Sequence, residues 1–135
     1  MKRLAIPVLF LTVLFSIGAH AQEDPFEPVV KALKEADSRS LASLFNVSVE
    51  LSLPDIENTY SVTQAEMIMK DFFKKYPPEE LALIQKGVIN PMSHFAIYSY
   101  KSSNSWFRVY CDLRKEKDRF LIYKLKFEDS KSNLR

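Results

Sequence analysis

The polar groups with which this 135-residue chain could do chemistry are few: Tyr98, Tyr100, Tyr123, His94, Cys111, Asp112 and Glu50. Tyrosines can hold a developing oxyanion, provided a carboxylate base stands on the same side. Strand alternation turns Tyr98, Tyr100 and Tyr123 toward the core and sends Asp112 and Glu50 to the other face, so no base joins the tyrosines. Their rings read as core, with hydroxyls reaching a partner. His94 is the one histidine after His20. With a single cysteine beside it, it cannot supply the three or four ligands of a zinc site, and no nucleophile-elbow motif accompanies it. Cys111 has no partner for an internal disulfide and falls on the core face as a small, inert hydrophobe. Only two glycines occur, which excludes glycine-rich phosphate loops. No catalytic constellation, cofactor or metal is expected.

A binding reading has more support. Phe95, Ile97, Trp106, Tyr110 and Ile122 alternate onto the outward face with Arg108, Asp112, Lys124 and Lys126. A solvated sheet face should be mostly polar, whereas aromatics with arginine mark interfaces. Trp106, Arg108, Tyr110, Ile122 and Lys124 are the interface candidates; the competing reading is a face covered by the protein's own N-terminal helix or tail.

The elements that position these residues form a meander of three strands, HFAIYSYK (94–101), SWFRVYCDLRK (105–115) and RFLIYKLKFE (119–128). A three-residue loop, 116–118, pairs Phe107 with Phe127, Val109 with Leu125, Cys111 with Tyr123 and Leu113 with Leu121. A two-residue loop sets lysines opposite Val109 and Phe107, so parity favours three. Ala96, Tyr98 and Tyr100 align with the same apolar face. Upstream, spacing predicts a helix over 26–36 with Pro28 in its first turn. A short helix capped by Asp37 or Ser38 follows, carrying Leu41, Leu44 and Phe45 and ending at Asn46. VSVELSL (47–53) alternates as a strand with Val47, Val49, Leu51 and Leu53 inward, and 58–61 returns beside it. Thr63 and Glu66 fit a capping box, with Val62 and Met67 as its staple. Behind them Ala65, Ile68, Met69, Phe72, Phe73 and Tyr76 make a helical stripe that Pro77 and Pro78 end. Residues 80–86 suit a strand, and 87–91 a connection.

Residues 1–21 read as a signal peptide: Lys2 and Arg3, an apolar run too short to span a membrane, then Ala19-His20-Ala21 as a cleavage signal. Residues 22–135 then form one domain, exported to the periplasm or the extracellular space. Without Lys2 and Arg3 the chain has 17 basic residues against 17 acidic ones, so no basic excess points to nucleic acid.

Three stretches, DPFEPVVKALKEADSRSLASLF, VELSLPDIENTYSVTQAEMIMKDFFKKYPP and WFRVYCDLRKEKDRFLIYKLKFE, follow an order of elements that resembles the nuclear transport factor 2-like superfamily. Within it the chain looks like a group of small exported bacterial proteins, domain of unknown function 4783. The resemblance implies an α+β cone in which helices pack on a strongly curved antiparallel sheet. It also implies an interior where some relatives hold isomerase or dehydratase chemistry and others only bind or dimerise. Tyr98, Tyr100, Tyr123 and Phe72 are the ligand-pocket candidates. The expectation is a non-catalytic exported domain that either self-associates through the outer sheet face or binds a small apolar ligand in the cone. The alternative is a small-molecule isomerase or dehydratase using that pocket.

Overall fold

The computed structural model describes residues 23–130; the expected signal peptide lies outside them. Helices α1 (Glu27–Lys34) and α2 (Ser38–Ala42) lead into strands β1 (Phe45–Leu53) and β2 (Ile56–Ser61), then helix α3 (Val62–Lys75). Strands β3 (Glu80–Asn90), β4 (Ser93–Ser102), β5 (Ser105–Glu116) and β6 (Arg119–Asp129) complete the chain. They form one six-stranded sheet in the order β2-β1-β6-β5-β4-β3. The fold is the expected α+β class. The sheet is mixed rather than antiparallel, because β6 returns to the middle and runs parallel to β1.

Each helix start has a local cause. Asp24 Oδ1 accepts the Phe26 N–H at 2.9 Å, and Pro28 lies in the first turn of α1. Asp37 caps α2 through the Ser40 N–H. The capping box of α3 is Ser61 with Gln64, two residues before the expected Thr63 and Glu66. Met67 is exposed and staples nothing. The expected stripe holds: Ala65, Met69, Phe72 and Phe73 are buried, with Ile68 and Tyr76 packed beside them. Phe45, expected in the second helix, opens β1 instead, and β3 continues as strand through the expected connection.

Bulges explain the remaining differences. The β5–β6 turn holds two residues, Lys117 and Asp118, since Glu116 pairs with Arg119. Ser103 and Lys117 take φ of 50° and 55°, the left-handed conformation that tight hairpin turns use. By parity alone that turn would send the β6 lysines inward. A bulge between Asp112 and Leu113 restores the apolar face, giving Cys111↔Leu125 and Val109↔Phe127 on one side and Leu113↔Ile122 on the other. Ile122, expected outward, is therefore fully buried at 0% exposure, while Tyr123, expected inward, faces out. On β1, four residues (46–49) stand against the single Tyr123 of β6, because Phe45 pairs with Ile122 and Glu50 with Lys124. That excess throws Val47, expected inward, to 84% exposure. The Leu44 carbonyl accepts the Ile122 N–H at 2.7 Å, and the Ser43 carbonyl accepts Arg119 Nη2 at 2.9 Å, so the start of β6 is tied to the α2–β1 link.

Candidate functional site

Between α3 and the sheet the space is filled by rings. Phe72 stands at the centre, 4.6 Å from Phe127, 5.4 Å from Phe107, 5.2 Å from Tyr76 and 6.0 Å from Tyr100, centroid to centroid. The Tyr100 hydroxyl donates to the Tyr76 carbonyl at the end of α3, so it serves the helix terminus. Of the four ligand-pocket candidates, Phe72, Tyr98 and Tyr100 are buried on the helix side and Tyr123 is not among them. Burial pushes the Tyr98 and Tyr100 phenols far above their ordinary range, and the neighbouring Cys111 and Asp24 add to the effect at Tyr98. Burial likewise leaves the Cys111 thiol protonated.

Asp24 is the carboxylate near Tyr98, a residue the strand pattern had no means of bringing there. Partial burial alone would raise its pKa. The Lys86 ammonium at 2.7 Å, the Phe26 N–H and the charge of His94 together hold it below the usual range. It is an anchor between the segment before α1 and β3. A cleft of about 300 Å³ opens at the end of the cone, where Leu53, Ile56, Ile68, Phe72 and Tyr76 form an apolar floor under Asp71 and Lys75.

On the opposite face the cross-strand register builds two rows. In one, Ile97 pairs with Tyr110 and Tyr110 with Lys126, while Ile84 is the extra residue of a bulge beside Ile97. Lys101 lies over the Trp106 ring at 5.3 Å and Lys126 over Tyr110 at 6.0 Å. Trp106, Arg108, Tyr110 and Lys124 are half-buried on this face, whereas Ile122 has left the set. The sequence places a strand at 80–86 but does not bring it into this surface: Ile84 and Ile89, the extra residues of two β3 bulges, are at least half exposed, Ile89 at 68%, while Leu83 and Val88 pair with Tyr98 and His94 on the helix side. Gly87 belongs to this surface because Phe95 lies across it: a Cβ there would come 2.5 Å from the ring.

The second row crosses all six strands as Thr59, Glu50, Lys124, Asp112, Phe95 and Gly87. Beside it the β1 excess opens a polar hollow of about 300 Å³, lined by Asn46, Ser48, Glu50, Thr59, Asp112, Arg114, Tyr123 and Lys124. Arg114 stacks on Tyr123 at 4.6 Å, the Tyr123 hydroxyl donates to Glu116, and Lys124 stands 4.0 Å from Glu50. The bond to Glu116 raises the Tyr123 phenol.

Burial pushes the Asp112 carboxyl above its ordinary range, against the pull of Lys124 and Arg114, and the charge of Glu50 adds to the rise. With the folded value above the unfolded one, the native state keeps this proton longer. Stability is therefore lost as pH rises from the ordinary carboxylate value through the raised one. Asp112→Asn is expected to flatten that fall and to raise the stability slightly at neutral pH, by less than ~1 kcal/mol in this solvent-screened position. Thermal unfolding of both proteins from acid to neutral pH measures it.

The family model described as Domain of unknown function (DUF4783) matches residues 26–128. The chain belongs to this family. Solved DUF4783 structures agree with the fold. The protein from Bacteroides ovatus ATCC 8483 is 26% identical, with a TM-score of 0.73 over 80% of this chain and 96% of its own. That from Bacteroides uniformis ATCC 8492 is 25% identical, with 0.72 over 76% and 94%. An NTF-2 like protein of unknown function from Silicibacter pomeroyi, 13% identical, shares the fold at 0.54 over 76% and 87%. These likenesses show that the DUF4783 chain has the nuclear transport factor 2-like fold. No curated protein matches it. Among the described residues no helix is long and apolar enough to cross a membrane.

Proposed function

We propose that this DUF4783 chain is an exported, non-catalytic domain that pairs with a second copy of itself through the outer face of β4 and β5 and the adjoining β3 edge. The observation that carries this is the continuity of apolar surface from Tyr110 through Ile97 and Phe95 to exposed Ile84 and Ile89, on the face away from the helices. A patch rich in aromatics beside arginine and lysine is what interfaces contain. The non-catalytic reading is supported by the polar groups of the other face: Tyr100 is bound to the Tyr76 carbonyl, and Asp24 is held anionic by Lys86 and so is a weak base. Export to the periplasm or beyond rests on the leader pattern of residues 1–21.

Light scattering across a concentration series is expected to give a dimer. Tyr110→Ala should weaken it by ~2 kcal/mol or more, roughly 30-fold in the dissociation constant, as for a central aromatic anchor. A protein that stays monomeric in the tens of micromolar, or a dimer indifferent to Tyr110→Ala and Trp106→Ala, overturns the reading. A second reading, a small apolar ligand in the cone, is favoured by the cleft whose floor includes Phe72 and Tyr76.

A further inference from the structure

The polar hollow on β1, β2, β6 and β5 adjoins that interface, since Asp112 pairs with Phe95, but differs from it in chemistry. Three features set it apart from an ordinary solvated sheet face. It is built by an irregularity, the four β1 residues standing against Tyr123, and bulges of this kind re-aim side chains next to functional sites. It also gathers both hydrogen-bonding senses in alternation: Glu50 accepts, Lys124 donates and Asp112 accepts along one cross-strand row, with strands about 4.8 Å apart. Asn46, Ser48 and Thr59 add neutral amide and hydroxyl groups around that row. Finally, Asp112 is half-buried yet its carboxylate makes no hydrogen bond among the described residues. No buried side-chain oxygen among the described residues lacks a partner, so the Asp112 oxygens are open to solvent at the hollow and free to accept from a ligand.

The charges decide the ligand class. Glu50 and Asp112 are balanced by Lys124 and Arg114, and Lys124 already stands 4.0 Å from Glu50. The hollow thus offers no net field to draw in a simple cation or anion, and a zwitterion would have to separate charges that already compensate each other. A sugar ring suits it better, because each hydroxyl both donates and accepts and so can bridge neighbouring acceptors and donors without disturbing their charge balance. The volume, about 300 Å³, suits one ring. The geometry points to a binding site for a single neutral sugar residue on the outer sheet face, with Asp112, Lys124 and Thr59 as its principal contacts.

Amide NMR of the purified protein, titrated separately with glucose, galactose, mannose and N-acetylglucosamine, tests this. At least one sugar is expected to shift the amides of Ser48, Tyr123 and Asp112 saturably, with a dissociation constant in the millimolar range. Asp112→Asn should weaken that binding roughly 10-fold or more, the effect of losing a charged hydrogen bond. Thr59→Ala, on the exposed edge strand, should weaken it less and keeps the test available if the first variant is unfolded. Sugars that leave these amides unmoved overturn the assignment. So do shifts produced only by free amino acids such as glycine and lysine, which would mark a zwitterion site instead. Repeating the titration with Tyr110→Ala separates the two proposals, since sugar binding should survive loss of the dimer.

Discussion

Replacing Phe72 with alanine is expected to cost about 3–5 kcal/mol, the range for deleting a buried aromatic side chain. Phe72 touches more rings than any packing stripe requires: Phe73, Tyr76, Tyr100, Phe107 and Phe127 all lie within 6.2 Å of its centroid. Edge-on ring pairs contribute beyond their buried area, so truncation removes several geometrically specific contacts with the transfer energy. The rings around it come from α3, β4, β5 and β6 and cannot all collapse toward one void. A domain of this size has only about 5–15 kcal/mol in total, so the variant should unfold at much lower urea concentration, and equilibrium denaturation will show it. A cost below ~1.5 kcal/mol, the usual limit for a volume-conserving swap, would mean that the space beside α3 is not closed by Phe72.

The second large effect concerns Ile122. Ile122→Ala is expected to destabilise by about 2–5 kcal/mol, while Leu121→Ala, at the half-exposed neighbour, should cost less than ~1 kcal/mol. The contrast comes from the bulge in the β5–β6 ladder, which turns Ile122 into the core between Phe45 and Leu113. Under the regular three-residue loop the inequality would be reversed. Thermal unfolding of the two variants side by side is thus a direct reading of the register, since a slip by one residue exchanges the faces.

The helical stripe of α3, the meander strands and the inward Tyr98, Tyr100 and Cys111 were all legible, because each rests on a period repeated over several turns or pairs, while the family was legible as a resemblance in three stretches and in the order of elements. What failed were positions where a strand departs from its period. Parity holds for straight strands, but a two-residue turn and a bulge together return the apolar residues to one side, so Phe127 faces Val109 rather than Phe107. Phe120, Leu121 and Ile122 are three apolar residues in a row, so alternation at the start of β6 was ambiguous, and only tertiary ties from Ser43 and Leu44 select Ile122. Val47 failed for the same reason on β1, where VSVELSL gives no sign that its first residues have no counterpart on β6. The polar hollow follows from that same invisible excess. Its lining comes from four strands, and Tyr123 was assigned to the wrong face. The length of β3 was hidden by Gly87, which reads as a breaker but serves as the bed for the Phe95 ring.

The parallel pairing of β1 with β6 also governs the order of events in folding. Leu51 and Leu125 are neighbours in the sheet although 74 positions separate them in the chain. Until β6 is available, β1–β2 and β3–β4–β5 are two separate sheets, each with an open flank where the last strand belongs. A long loop must close before that central seam gives any return, which slows the search. A chain emerging from synthesis therefore stays an open precursor through most of its length and gains cooperative structure only when its final strand is inserted, like a keystone set last.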